Sequence, residues 1–210
     1  MASVVKLCNM ALSHIGADAR VASIAPPDGS VEAGHCADFY DTARTELIEP
    51  GAWRFALKRA PLAQAENLSA AWAYAYALPS DCLRPLRILR AGTGATVFTQ
   101  DDVQYSPNDH DSADFGVEGD VLFTNEAEAT LVYVRDVTDS AKFPASFTSA
   151  LSYLLASYLA GPIVKGNEGA RLADAMRAKA MELANMAATA SANASSSTSD
   201  FNPSSITARR

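Results

Sequence analysis

A change of hydrophobic period divides this chain into three. Apolar residues recur at helical spacing up to residue 53, at every second position over much of 54–138, and at helical spacing again from Ala145. A period near 3.6 lines up one stripe of a helix and a period of 2 lines up one face of a strand, so neither pattern settles as the other. Two helical ends around a strand-rich middle make the fold class α+β: an antiparallel helical bundle formed by the N- and C-terminal helices, with an inserted, mostly antiparallel β-sheet subdomain. The expected divisions are N-terminal helices over 1–53, the inserted sheet over 54–138, C-terminal helices over 139–190 and a flexible serine-rich tail over 191–210.

In the first part, Val4, Leu7, Cys8, Ala11 and Ile15 share a helical stripe behind Ser3, which can cap it, and Gly16 is a natural stop. After a loop containing proline and glycine, Ser30 caps a second helix. Its Cys36, Phe39, Tyr40, Ala43 and Leu47 fall on one stripe, and Pro50 and Gly51 close it.

In the middle, the stretch AWAYAYALPS (71–80) alternates aromatics with alanine. As a strand it sets Trp72, Tyr74, Tyr76 and Leu78 on one face and Ala71, Ala73, Ala75 and Ala77 on the other. Alanine is a poor strand former, so the small face suggests close approach by a neighbouring element or subunit. Ala73 and Ala75 are candidate contact residues on that ground; the alternative is that both faces are covered within the chain. Pro79 ends the strand, Ser80 and Asp81 turn it, and extended structure resumes with Leu86 and Ile88 on one parity and Pro85 at an edge or strand start. Further short strands are expected near 95–99, 120–124 and 130–134.

In the last part, Phe147, Leu151, Leu154, Leu155, Tyr158 and Leu159 form a broad apolar stripe, which Gly161-Pro162 should kink or end. A final helix after Asn167 carries Leu172, Met176, Lys179, Leu183 and Met186 at steps of four and three, a coiled-coil-like seam interrupted by a lysine, which requires a partner helix. From Ala187 alanine and serine dominate and too little apolar surface remains to offset ordering entropy. Phe201, Ile206, Arg209 and Arg210 are the adhesive points of this tail, which is either plainly solvated or ordered on a partner.

Composition excludes several functions. The net charge is -7 and no run of cations exceeds Arg209-Arg210, which argues against nucleic-acid binding driven by counterion release. Residues 4–15 are interrupted by Lys6, Asn9, Ser13 and His14, so neither a secretory leader nor a membrane span is expected. The 3 cysteines, Cys8, Cys36 and Cys82, form no Cys-x-x-Cys pair, as suits buried thiols in a reducing cytoplasm. Cys8, His35 and Cys36 lack the fourth ligand of a zinc site, and no metal or other cofactor is expected.

No catalytic constellation emerges. RAGTGATV has Gly92 and Gly94 but Val97 where a dinucleotide fingerprint needs glycine, and no Gly-x-Ser-x-Gly elbow occurs. The stretch SPNDHDSADFGVEGD gathers Asp109, Asp111, Asp114, Glu118 and Asp120 around His110, but counted from Asp109 it places alanine and aspartate where a calcium loop needs an oxygen ligand and glycine. It is read as a solvated acidic loop. Glu46 and Glu49 offer a carboxylate pair for glycoside hydrolysis, though any two of the 24 acids in this chain fit as well.

The blocks CNMALSHIGADARVASI, CADFYDTARTELIEPGAWRFALKRAPLA, YAYALPSDCLRPLRI, GVEGDVLFTN and LVYVRDVTDSAKFPASFTSALSYLLASYLA, in this order over residues 3–185, resemble the tail tubular protein A family of short-tailed phages. That resemblance implies a structural virion protein, a head-to-tail adaptor with no family-wide active site. Such a protein forms a homo-oligomeric ring, commonly a dodecamer, beneath the portal protein, with a tail nozzle of tail tubular protein B type on its other face. Double-stranded DNA passes through without sequence-specific binding, and net acidity suits a conduit that must not grip it. Assembly in the host cytoplasm and residence at the head-tail interface of the virion follow. Within that picture the tail, through Phe201 and Ile206, docks on the portal, and Ala73 and Ala75 admit a neighbouring subunit. The alternatives from other classes are a tail-associated cell-wall-degrading enzyme and a monomeric tail-completion module.

Overall fold

A computed structural model describes residues 3–51, 53–89 and 112–194. The first two helices, α1 (Val4–His14) and α2 (Val31–Ile48), start where their caps predict, with the Ser3 hydroxyl accepting from Lys6 N–H and the Ser30 hydroxyl from Ala33 N–H, each at 3.2 Å. Gly16, at φ 73°, supplies the left-handed residue that stops α1. The loop between them is pinned by side chains. The Asn9 amide donates to Val21 C=O at 2.9 Å and accepts from its N–H at 2.8 Å, while the Asp28 carboxylate accepts from Ala22 N–H and from Ser30.

The last two helices, α3 (Ala145–Val164) and α4 (Gly166–Ala194), form a hairpin with Lys165 alone between them. Gly161-Pro162 does not stop α3. The proline falls in the final turn, where only one i→i−4 bond is forfeited before the helix ends anyway, and the stop comes from Lys165 and Gly166 at φ 62° and 60°. α4 continues past residue 190 to Ala194.

The α4 seam also differs from its expected course. Its bundle side carries Leu172, Ala173, Met176, Ala180, Leu183, Ala184 and Ala187, and the required partner helix is α3 of the same chain. Lys179 and Met186 lie beside the seam. The helical repeat carries the stripe from 176 through 180 to 187, and alanines occupy positions at which an apolar search passes them over for longer side chains. Small residues bring the helices close: a Cβ on Gly169 would lie 2.8 Å from the Ala160 carbonyl oxygen. α3, packed by α1, α2 and α4, is long and apolar enough to cross a membrane by length and composition and is here the bundle's centre.

The insertion begins with a single 3-10 turn, Arg54–Ala56. It holds strands β1 (Leu57–Pro61), β2 (Ala63–Gln64), β3 (Tyr74–Ala77), β4 (Cys82–Leu89), β5 (Ser112–Ala113), β6 (Phe115–Glu118), β7 (Val121–Thr124) and β8 (Thr130–Arg135). They form two antiparallel sheets, ordered β1-β8-β4-β5 and β2-β3-β7-β6. Ile88, Leu131 and Tyr133 of the first meet Tyr76 and Leu122 of the second in a core between the sheets, while Leu57, Leu83 and Val134 turn toward the helices. The expected strand at 95–99 lies outside the described residues.

Two bulges reset β4. Between Cys82 and Arg84, and between Pro85 and Arg87, two residues on β4 face a single step on β8, which leaves Leu83 and Leu86 as the extra residues. Leu86 and Ile88 therefore do not share a face: Ile88 is buried between the sheets and Leu86 is exposed. Pro85 falls where β5 no longer flanks β4, a position that requires no N–H. The stretch expected as an acidic loop is partly strand, because Phe115–Glu118 pairs with Val121–Thr124 around Gly119 at φ 57°.

Candidate interaction surface

Polar side chains concentrate where the bundle meets the sheets. Arg44 sits in the buried stripe of α2 beside Ala43 and Leu47 and is 3% exposed, so its charge requires a partner. It binds the Asp136 carboxylate just beyond β8, donates to the Val137 carbonyl at 3.2 Å, and reaches Asp41 at 3.3 Å. Burial opposes the cation, and the bonds to Asp136 outweigh it and hold the guanidinium charged.

Asp136 also ties this pair to the sheet. Its N–H donates to the Asp81 carbonyl at 2.8 Å, and the Asp81 carboxylate accepts from Lys58 Nζ at 2.8 Å and from Tyr133 Oη at 2.7 Å. Partial burial works against the Asp81 carboxylate, but the two donors win and hold its pKa below the usual range; the bond to Asp81 raises that of Lys58. Tyr133 is pushed up by burial and by its bond to Asp81. A continuous polar path thus runs from α2 through the end of β8 to the β3–β4 turn and β1.

A second lock joins three helices. Glu46 of α2 accepts from Tyr158 of α3 and Arg177 of α4, and the bond to Glu46 raises the tyrosine pKa. Beside it Trp53 donates to the Leu47 carbonyl at 2.8 Å and meets Phe147 edge-on at 5.0 Å, with Phe55 and Phe143 packing on the same ring. At the far end of α1, His14 stacks on Tyr153 at 3.9 Å and shares a hydrogen bond with Ser152 at 3.1 Å.

The candidate contact residues divide. Ala75 is 1% exposed within a single chain, so its neighbour is intramolecular: it pairs with Phe123, which pairs with Gly116, and the Trp72 indole lies 3.7 Å from where a Gly116 Cβ would stand. The expected alternation fails at Trp72. Ala73 N–H donates to the Asn125 side chain at 3.0 Å instead of to the ladder, so β3 starts at Tyr74 and Trp72 is free to fold over the alanine face. Ala73 and Ala77 remain exposed. Phe201, Ile206, Arg209 and Arg210 lie outside the described residues.

The chemical candidates are otherwise engaged. Glu46 anchors the helix lock, whereas Glu49 is exposed at the end of α2. Cys8 and Cys36 are buried in one core; contact with Cys36 and burial push the Cys8 thiol upward, and burial pushes Cys82 to about 11. Among the described residues no three His, Cys, Asp or Glu side chains gather as a metal would require. Asp109, His110 and Asp111 lie outside those residues, and Asp114, Glu118 and Asp120 are exposed.

Sequence reasoning missed both locks. The signal for the first was present, an arginine inside the apolar stripe of α2, which demands a buried anion; nothing local identified Asp136 as that anion. Comparison of the sequence with models of known protein families, and with curated proteins, gives no match.

Proposed function

We propose that the chain is a structural virion protein, a head-to-tail adaptor of the tail tubular protein A type. It forms a ring, of twelve copies, between the portal protein and the tail nozzle and lines the path by which double-stranded DNA leaves. It is not an enzyme in this reading, and it works without a cofactor. The observation that carries the reading is where the family-like blocks fall: Arg44, Glu46, Trp53, Lys58, Asp81, Tyr133, Asp136 and Tyr158 all belong to them. Within those blocks Arg44, Lys58, Asp81, Tyr133 and Asp136 weld bundle to sheets, and Glu46, Trp53 and Tyr158 weld helix to helix. An adaptor transmits geometry between two partners, so a rigid joint between its two halves is what its work requires.

The test is particle mass by light scattering, for the protein alone and mixed with portal protein, followed by electron microscopy of the complex. A closed ring seated on the portal is expected. A single chain under both conditions overturns the reading, and lysis of peptidoglycan by the purified protein replaces it with the wall-degrading enzyme. Truncation after Ala194 keeps α4 intact and tests the tail: weaker portal binding is expected, and undiminished binding removes the tail from the interface.

A further inference from the structure

The helical bundle holds two thiols against each other. Cys8 falls in the buried stripe of α1 with Leu7, Ala11 and Leu12, and Cys36 in that of α2 with Ala33, Tyr40 and Ala43. Each cysteine is 0% exposed, both belong to one core, and their side chains are in hydrogen-bonding contact. The helices that carry them are held from two sides. α1 and α2 each pack on α3, and the Asn9 amide, one residue along from Cys8, holds the returning chain at Val21. The contact is therefore part of the packed fold.

The two sulfurs are not equivalent. Cys8 S–H donates to Cys36, which raises the Cys8 thiol and lowers that of Cys36; burial raises Cys8 further and, with Glu32 and Asp28, opposes the shift at Cys36 without cancelling it. Cys36 is thus the nucleophile of the pair and Cys8 the member that keeps its proton. One turn along α2 from Cys36, Tyr40 is 6% exposed and its hydroxyl is buried without a hydrogen-bond partner among the described residues, a donor free for an anion formed there. Cys82 stands apart. It begins β4 against the core between the sheets, and burial raises its thiol.

We propose that Cys8 and Cys36 are a disulfide-forming pair, open in a reducing compartment and closed by a small peroxide outside it. The Cys36 thiolate attacks one peroxide oxygen, the O–O bond breaks, and the departing hydroxide takes up the proton that Cys36 released, leaving a sulfenic acid. The Cys8 sulfur then attacks the Cys36 sulfur, the S–O bond breaks, and the second hydroxide leaves with the Cys8 proton as water. Two thiols lose two electrons and one peroxide becomes two waters. α1, of 11 residues, joins the bundle mainly through α3, so its opening admits the oxidant and its return brings Cys8 back to the sulfenic acid. The product ties α1 to α2 covalently. This inference is independent of the ring reading.

The experiment treats the full folded chain with hydrogen peroxide and reads intact mass, free thiols in denaturant, and peptides mapped without reduction. The expected product has lost the mass of two hydrogens, leaves only Cys82 of the 3 thiols to titrate, and yields a peptide linking Cys8 to Cys36, all reversed by dithiothreitol. Cys82→Ser should form the same link, whereas Cys8→Ala and Cys36→Ala, each checked for folding by circular dichroism, should form none. Should the alanine variants fail to fold, the peptide map of Cys82→Ser decides alone. All 3 thiols still free after a dose that fully oxidises dithiothreitol overturn the proposal. So does a link through Cys82, a link between chains, or a link that forms only in denaturant. Oxygen retained on Cys36 beside a free Cys8 overturns it too, because the two sulfurs then meet without closing.

Discussion

Arg44 and Asp136, 92 positions apart in sequence, form an ion pair in which the arginine side chain is 4% exposed and the aspartate 30%. The pair is asymmetric: the aspartate retains some water and the arginine does not. Asp136→Ala is therefore expected to destabilise the protein by about 3 kcal/mol, the lower end for stranding a buried charge, since Asp41 and the Val137 carbonyl remain. Arg44→Met combined with Asp136→Leu should recover most of that loss. Urea denaturation of the three variants checks both statements.

The Lys58–Asp81 pair predicts a pH profile. The folded Asp81 pKa lies below its ordinary 3.8, so the stability it contributes is complete above that value and is lost as pH falls through the lower folded one. The folded Lys58 value lies above 10.5, so its contribution is complete below 10.5 and is lost above it. Both side chains are more than a third exposed, at 39% and 34%, so screening limits the pair to about 0.5–1 kcal/mol. Asp81→Asn should lower the melting temperature between pH 5 and 9, and the difference from the unaltered protein should shrink progressively as pH falls below 3.8. Thermal melts across that range read the difference.

Gly169→Ala sets two effects against each other. Alanine favours the helix by about 1 kcal/mol, but its Cβ would stand 2.8 Å from a backbone oxygen of α3, and forcing packed elements apart costs about 1–3 kcal/mol. Backbone cannot swing aside as a side chain does, so net destabilisation is expected, with a melting temperature a few degrees lower.

Ala75→Leu and Ala73→Leu should part ways. The first adds volume at a closed site between β2 and β7 and is expected to cost about 1–3 kcal/mol, whereas the second, on exposed backbone, is expected to change stability by less than about 0.5 kcal/mol. Calorimetry of both proteins decides it.

What the sequence disclosed and what it hid follow a physical division. Ser3, Ser30, Gly16 and Gly119 act within a few residues of themselves, so local chemistry places the caps and turns they make. The bulges at Leu83 and Leu86 depend on how β4 meets β8, which nothing inside β4 specifies, and parity inside that strand misleads accordingly. The α4 seam was hidden because alanine looks the same on a buried face as on an exposed one, and only α3 makes the distinction. The locks at Arg44 and Glu46 were hidden in their partners rather than their presence: an arginine in an apolar stripe announces a bond without an address.

α1 and α2 meet their cover only in α3, which follows them across the whole inserted sheet region. His14 reaches Ser152 across 138 positions and Glu46 reaches Tyr158 across 112. At ribosomal speeds α1 emerges on the order of ten seconds before α3 exists to receive it, with its oily stripe still bare. Packing of α1 and α2 thus waits until α3 has been made, and a chain released before then presents its oily stripe to chaperones and proteases.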